Sequence, residues 1–378
     1  MRQSGTYQTQ PTGYRAFIPA PLPPTDLAIR GELQRALSAA DTAVGRLDGS
    51  VQTLPNPDLF VLMYVRKEAV LSSQIEGTQS SLHDLLAAEA EALGRDRIAR
   101  DVDEVVNYVK AMRYGLERLK SLPMSVRMIR EIHRELMQGT RGGHLTPGEL
   151  RSSQNWIGPA GAGLSGASFV PPPPHEVGPA LSALERYLHE DDGLPFLVKV
   201  GLAHAQFETI HPFLDGNGRV GRLLITLLLC EHGTLAQPVL YLSIYLKRNR
   251  AEYYERLQAV RDAGDWEGWL SFFLRGVAEV SGEARETARR IIELREGHRE
   301  LVNARLGRGA ATAHRVLESL YAKPIVSVQE LAERLTLTKA AANDVVNRLA
   351  ELELLREITG QKRNRRFRYD PYVALFET

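Results

Sequence analysis

Apolar residues recur at helical spacing along most of this chain, which leaves little room for any fold that is not mainly helical. Leu27, Ile29, Leu33, Ala36 and Leu37 mark one stripe, and Val102, Val105, Val106, Val109 and Met112 another. Pro55-Asn-Pro57 separates one helix from the next between Asp26 and about Lys120, and residues 125–139 form a further amphipathic helix. Helical spacing resumes at about 176–189, 194–210 and 218–232, and residues 248–305 read almost wholly as helix with a highly charged end. Two segments do not fit. Residues 1 to about 25 are rich in Pro, Gly and Thr and end in Pro21-Leu-Pro-Pro24. They read as an extended arm, because proline withholds a backbone donor and disfavours helix. Gly139 to Pro174 is poor in periodicity and ends in four prolines. A loop that long inside a compact unit is usually functional.

A chain of 378 residues exceeds what one core organises, so two or three domains are expected. Lys and Arg total 47 against 46 Asp and Glu, which excludes a chain that coats nucleic acid by bulk charge. The single cysteine, Cys230, can form neither an internal disulfide nor a cysteine-based zinc site. The N-terminus lacks the apolar core of a signal peptide. The longest apolar stretch, around Leu223 to Cys230, is far short of the roughly 20 residues that span a bilayer. A cytoplasmic protein with no membrane contact is the expectation.

Chemistry concentrates in His211-Pro-Phe-Leu-Asp-Gly-Asn-Gly-Arg-Val-Gly-Arg222. Pro212 closes the preceding helix, and Gly216-Asn217-Gly218 can aim successive backbone N–H groups at an anion. The helix that starts near Gly218 adds its positive end. Arg219 and Arg222 share a helix face and can clamp neighbouring phosphates. Asp215 is placed to hold Mg²⁺ bridging phosphate oxygens. His211, with an ordinary pKa of about 6.5, suits proton abstraction near neutrality. Together these residues predict phosphoryl or nucleotidyl transfer. A competing reading uses His204, Glu208 and His211, at i, i+4 and i+7, as two histidines and a carboxylate on a metal. The arginines of the loop would repel such a cation.

The twelve residues resemble, position for position, the signature of the Fic family, His-Pro-Phe-x-(Asp/Glu)-Gly-Asn-Gly-Arg-x-x-Arg. The stretches RSSQNWIG (151–158), ASFVPPPP (167–174), AHAQFETIHPF (203–213) and YLS…NRAEYYERL (241–257) are similar to members of it as well. The resemblance implies a Fic-type helical core with a small β-hairpin flap. It also implies a protein adenylyltransferase, which moves AMP from ATP to a Ser, Thr or Tyr hydroxyl of a protein target, itself included. His211 would be the base, Asp215 the Mg²⁺ ligand, and Gly216, Asn217 and Gly218 the phosphate cradle. Arg219 and Arg222 would bind the outer phosphates, with Phe213 packed beneath the loop. Ser72-Ser-Gln-Ile-Glu-Gly77 matches the family's inhibitory pattern, (Ser/Thr)-x-x-x-Glu-(Gly/Asn), and lies before the catalytic motif. Glu76, with Ser72 on the same face, would then pair with Arg222 and hold ATP in an unproductive pose. Ser168, Phe169 and Val170 match the flap, an exposed edge for the target by strand addition, and Tyr253 is the candidate for packing on adenine. Some members of the family pair as homodimers, which leaves open whether Glu76 acts within its own chain. Removal of AMP, transfer of another nucleotide or of phosphate, and a DNA-binding regulator with a nucleotide-sensing core remain alternatives.

The last 65 or so residues differ. Val328–Leu335, the turn Thr336–Thr338 and Lys339–Leu352 give helix, tight turn and second helix, and Arg356–Tyr369 reads as a two-stranded wing. This is a winged helix-turn-helix, whose second helix enters the DNA major groove in DNA-binding examples. Residues 309–378 carry 11 Lys and Arg against 9 Asp and Glu, so attraction to DNA would be local to the wing. The expected organisation is an N-terminal helical region (1–110), a catalytic core (111–268), a helical linker (269–308) and the winged helix (309–378).

Overall fold

The computed structural model describes residues 4–52, 54, 56–90, 101–140, 145–158, 161 and 163–377. The chain opens on a β-hairpin, β1 (Gly5–Thr9) and β2 (Arg15–Pro19), paired from Gly5↔Pro19 to Thr9↔Arg15. The arm expected there is thus partly sheet. Its prolines lie at the margins, while Ala16 and Phe17 are buried. Helices α1 (Glu32–Gln52), α2 (Asp58–Ile75), α3 (Leu82–Glu89), α4 (Val102–Leu119) and α5 (Val126–Met137) follow. Ser81 starts α3 with a reciprocal capping box to Asp84, and the Ser125 hydroxyl accepts from Met128 N at the start of α5.

The stretch after α5 contains one antiparallel bridge, Ile157↔Phe169. Next come α6 (Pro174–His189), α7 (Phe196–Ile210) and α8 (Asn217–Glu231). Nearly every residue of α7 and α8 is buried, as expected of helices that are apolar on all sides. The two pack on each other, so the loop that joins them sits where their ends meet. Helices α9 (Ser243–Arg248), α10 (Arg250–Ala263) and α11 (Trp266–Leu306) complete the body. The expected linker, 269–308, is the greater part of α11, a helix of 41 residues. Its first half supplies Trp269, Phe272, Phe273 and Val277 to the core, and α1 packs along it. Trp269 Nε1 donates to Gly201 O of α7 at 2.8 Å.

The C-terminal unit comprises α12 (Ala310–Ala322), β3 (Ile325–Ser327), α13 (Val328–Leu335), α14 (Lys339–Glu351), β4 (Arg356–Glu357), β5 (Arg366–Arg368) and α15 (Asp370–Val373). The wing is a three-stranded sheet in the order β3-β5-β4, one strand more than the sequence suggested. Ile325 and Val326, too short a run to be seen by alternation, pair with Arg368 and Phe367. This unit rests on α2. Tyr64 lies edge-on to Phe376 at 5.5 Å, and Arg368 Nη1 is 3.0 Å from His83 Nδ1.

Candidate active site

His211 ends α7 in the left-handed conformation, φ 49° and ψ 61°. An L-residue holds that geometry only when its surroundings fix it, and here they do. The Arg151 guanidinium donates to the carbonyls of Ile210, His211 and Pro172, and Asn155 Nδ2 donates to those of His211 and Phe213. His133 stacks on Phe213 with ring centroids 3.7 Å apart and sits 3.0 Å from Asp215 O. Asn217 closes the loop on itself: its Oδ1 accepts from Phe213 N and its Nδ2 donates to Phe213 O, both at 2.8 Å. The Asn217 side chain is therefore a latch, and the cradle is made of backbone. The first N–H groups of α8 have no acceptor within the helix and face outward from its positive end.

Burial, aided by the charges of Arg261 and Arg151, lowers the His211 imidazole to about 4. It is neutral at pH 7 and able to accept a proton. Its Nδ1 is buried without a hydrogen-bond partner among the described residues. His204, by contrast, is occupied on both nitrogens, with Gly221 O at 3.0 Å and the Tyr253 hydroxyl at 2.9 Å. The two-histidine metal reading fails for that reason. Among the described residues no group of three or more His, Cys, Asp and Glu could hold a metal.

Both arginines of the motif are buried and already paired. Arg222 Nε donates to Ser72 Oγ at 2.8 Å, and its Nη2 donates to Ser72 O at 3.0 Å and to Glu76 Oε1 at 2.6 Å. Arg219 meets Glu104 at 3.1 Å and Asp215 at 3.5 Å. Glu76 ends α2 just before Gly77, whose φ of 99° suits glycine. Burial pushes the Glu76 carboxyl up, but Arg222 outweighs it and holds the group below its ordinary value. Two glycines admit this crowding. A Cβ on Gly218 would lie 2.2 Å from Glu76 Oε1, and one on Gly221 would lie 2.3 Å from Glu208 Oε1. Glu208 is buried beneath Arg222, and burial raises its carboxyl to about 7.

The expected adenine and flap contacts are placed differently. Tyr253 is 1% exposed, with its hydroxyl on His204 and its ring tilted against Trp269, so it has no face to offer a base. The exposed neighbour is Tyr254, 40% accessible, with the Arg250 guanidinium 5.7 Å from its ring. In the flap, Ser168 is exposed, but Phe169 and Val170 are buried. Phe169 exchanges hydrogen bonds with Ile157, Val170 O accepts from Phe17 N of β2, and Arg261 lies 3.9 Å over the Phe169 ring. The edge expected to be free is covered by the chain's own N-terminal hairpin. A groove of about 730 Å³ runs between that hairpin and the flap, past Tyr14, Arg15, Ser165 and Ser168. Nothing in the sequence pattern assigns a role to Arg151 or Asn155. A charged residue and an amide amid Gly- and Pro-rich loops were the only signal.

Residues 34–117 match the Fic/DOC family N-terminal region, and residues 123–229 match the Fic/DOC family itself. The chain belongs to the Fic/DOC family. Residues 310–366 match the MarR family, in agreement with the winged helix. The protein adenylyltransferase Fic of Drosophila erecta is 28% identical over 209 residues, 54% of this chain and 36% of that protein. The protein of the same name from Aedes aegypti is 29% identical over the same shares. The match thus spans little more than a third of those relatives' length. A crystal structure of a Fic family protein from Desulfovibrio desulfuricans shares the fold, with a TM-score of 0.59 at 20% identity, over 91% of this chain and 97% of that one. A Fic domain containing signaling protein from Bacteroides thetaiotaomicron gives 0.53 at 19% identity, over 66% and 97%. No helix among the described residues is long and apolar enough to cross a membrane.

Proposed function

We propose that this protein transfers AMP from ATP to a hydroxyl of a protein target, and that Glu76 restrains the reaction by occupying Arg222. The observation that carries the reading is one neutral histidine, locked at a helix end beside a backbone cradle and two arginines that already hold carboxylates. His211 takes the proton of the target hydroxyl. The oxygen then attacks the α-phosphorus of ATP, the bond to the bridging oxygen breaks, and pyrophosphate leaves with that electron pair. The negative phosphates, once seated, raise the basicity of the imidazole. Arg222 binds the outer phosphate only when Glu76 releases it. Asp215, a half-exposed carboxylate beside the cradle, fits Mg²⁺ held jointly by protein and phosphates rather than by an all-protein cage. The ion would supply charge neutralisation at the departing pyrophosphate. Tyr254 takes the adenine contact, and the target segment lies in the groove between hairpin and flap.

Intact-mass spectrometry tests the proposal. The native protein, Glu76→Gly and Glu76→Gly with His211→Ala are each incubated with ATP, Mg²⁺ and a cell extract, then compared. A gain of one AMP on the protein itself or on an extract protein is expected with Glu76→Gly, and none once His211 is replaced. A product carrying phosphate alone, or AMP transfer that survives the loss of His211, refutes it.

A further inference from the structure

Six arginines are buried among the described residues: Arg66, Arg151, Arg219, Arg222, Arg261 and Arg368. Arg66, Arg219, Arg222 and Arg368 each hold a carboxylate, of Glu89, Glu104, Glu76 and Asp370. Arg151 and Arg261 hold none among the described residues, and both lie at the end of α7, where His211 sits. A charge kept from water on neutral partners alone is costly. Arg151 is accounted for by the loop carbonyls it gathers. Arg261, on α10, spends each guanidinium nitrogen on a neutral acceptor at 3.3 Å: Nε on Thr209 Oγ1, Nη1 on Gln258 Oε1 and Nη2 on Glu208 O. Burial lowers it to about 10, so it stays charged at neutrality. Three parts of the chain meet on this side chain and its backbone. Glu208 and Thr209 belong to the last turn of α7, the helix end that favours a cation. The Phe169 ring of the flap lies 3.9 Å from the guanidinium. The Ser4 hydroxyl, at the start of the N-terminal hairpin, donates to the carbonyls of Val260 and Arg261.

We infer that Arg261 is a positioning residue: it pins the flap to the end of the catalytic helix and sets a fixed positive charge one turn from His211. Packing of Phe169 over the guanidinium excludes water on that side, so the charge acts on its neighbours at short range and little screened. After burial, Arg261 is the strongest influence that keeps the His211 imidazole low; Arg151 adds to it from the loop before the flap, and Glu76 opposes it from α2. The acids that face Arg261 in turn are Glu208 of α7 and Asp262 of its own helix, and the tyrosines are Tyr253 and Tyr7. The inference rests on the reading of His211 as the base, but its test needs no nucleotide.

Two variants of the full chain separate charge from geometry. Arg261→Met keeps the length of the side chain and removes its charge and donors, whereas Arg261→Lys keeps the charge and loses the planar fork. Nuclear magnetic resonance of the chain labelled at histidine Cε1 follows the His211 signal, identified by its loss in His211→Asn. The His211 midpoint, about 4 in the native chain, should rise by about one pH unit in Arg261→Met, a tenfold gain in proton affinity, and hold its native value in Arg261→Lys. Hydrogen exchange of a peptide covering residues 164–170 should quicken about tenfold in both variants, since neither restores the fork over Phe169. An unmoved midpoint in Arg261→Met, or an equal rise in Arg261→Lys, overturns the charge role. Native exchange of the flap peptide in both variants overturns the coupling to the flap. Should Arg261→Met not fold, Arg261→Gln, neutral but still a donor, carries the same comparison. A failure of AMP transfer touches neither readout.

Discussion

Replacing Glu76 should make the protein less stable and more active at once. The Glu76 carboxylate lies 2.6 Å from Arg222, with side chains 35% and 2% exposed. Two unit charges 4 Å apart attract by about 4 kcal/mol at an effective dielectric of 20. Water already solvates part of the carboxylate, so about 1–3 kcal/mol is the net value expected of the pair. Ser72 keeps its two acceptors on Arg222 in the variant, so the guanidinium stays seated and merely gains a free edge. Glu76→Gly should therefore lower the melting midpoint by about 2–4 °C for each kcal/mol lost. It should raise the rate of AMP incorporation from labelled ATP by about 5- to 150-fold, the same energy read as a released equilibrium.

Glu76→Gln separates charge from bulk. Glutamine fills the space left by Gly218 but carries no charge, so its rate should lie between the other two. If Glu76→Gly melts lower yet transfers AMP no faster than the native chain, the pair was structural and the reasoning fails.

The same variant background serves a pH test. With His211 held near 4, the base stays neutral through pH 6, so kcat/KM should remain flat to about pH 5 and fall below it. A half-loss near 6.5, the ordinary imidazole value, would contradict this. Linkage has the same sign: His133, His204 and His211 are all depressed to about 4, so their share of stability is present above 6.5 and lost as pH falls through 4. Arg151→Met leaves the carbonyls of Ile210 and Pro172 without their donor and should cost about 1–3 kcal/mol in urea unfolding. A wild-type midpoint would show that Arg151 does not hold the loop. In the winged helix, Arg366 and Arg368 are paired with Glu330 and Asp370, whereas Lys362 and Arg363 are exposed. If the module binds DNA, Lys362→Glu and Arg363→Glu should each reduce the salt slope of anisotropy titrations by about 1. Arg366→Ala should lower stability instead, and an equal loss of DNA affinity in all three would refute this division.

The helices and the catalytic loop were legible because each rests on local signals. Apolar spacing marked α4, α5, α7 and α8, and the His211–Arg222 run marked the loop that joins the last two. Ser72 and Glu76 could be placed near Arg222 only through the resemblance, since a separation of 146 positions between Glu76 and Arg222 carries no spacing information. Tyr253 shows the limit of that route. Adjacent tyrosines on a helix point about 100° apart, and which of them meets solvent depends on where Trp269 and His204 pack. The N-terminal hairpin was hidden because its buried residues, Ala16 and Phe17, are adjacent rather than alternating, so the strand carries no period-2 pattern. The length of α11 misled differently: its charged second half reads as a linker, while its first half is core.

The proposed brake depends on the crowding around Arg222. Ser72 and Glu76 come from α2, Glu208 from α7 and the arginine from α8, and these helices approach closely only because Gly218 and Gly221 carry no side chain. The guanidinium is thus bounded by carboxylates on two sides, one exposed by a third and one fully buried. The buried one is enclosed by its helix neighbours and stays in place, its carboxyl raised to about 7 by burial. Glu76 sits at the end of a helix, one residue before a glycine, where a small rotation carries its carboxylate into water at modest cost. The mobile partner is accordingly the one on α2, and α2 is also the helix on which the winged helix rests, through Tyr64 and Phe376. Under the proposed restraint, a change in how that module sits would reach Glu76 along this one helix.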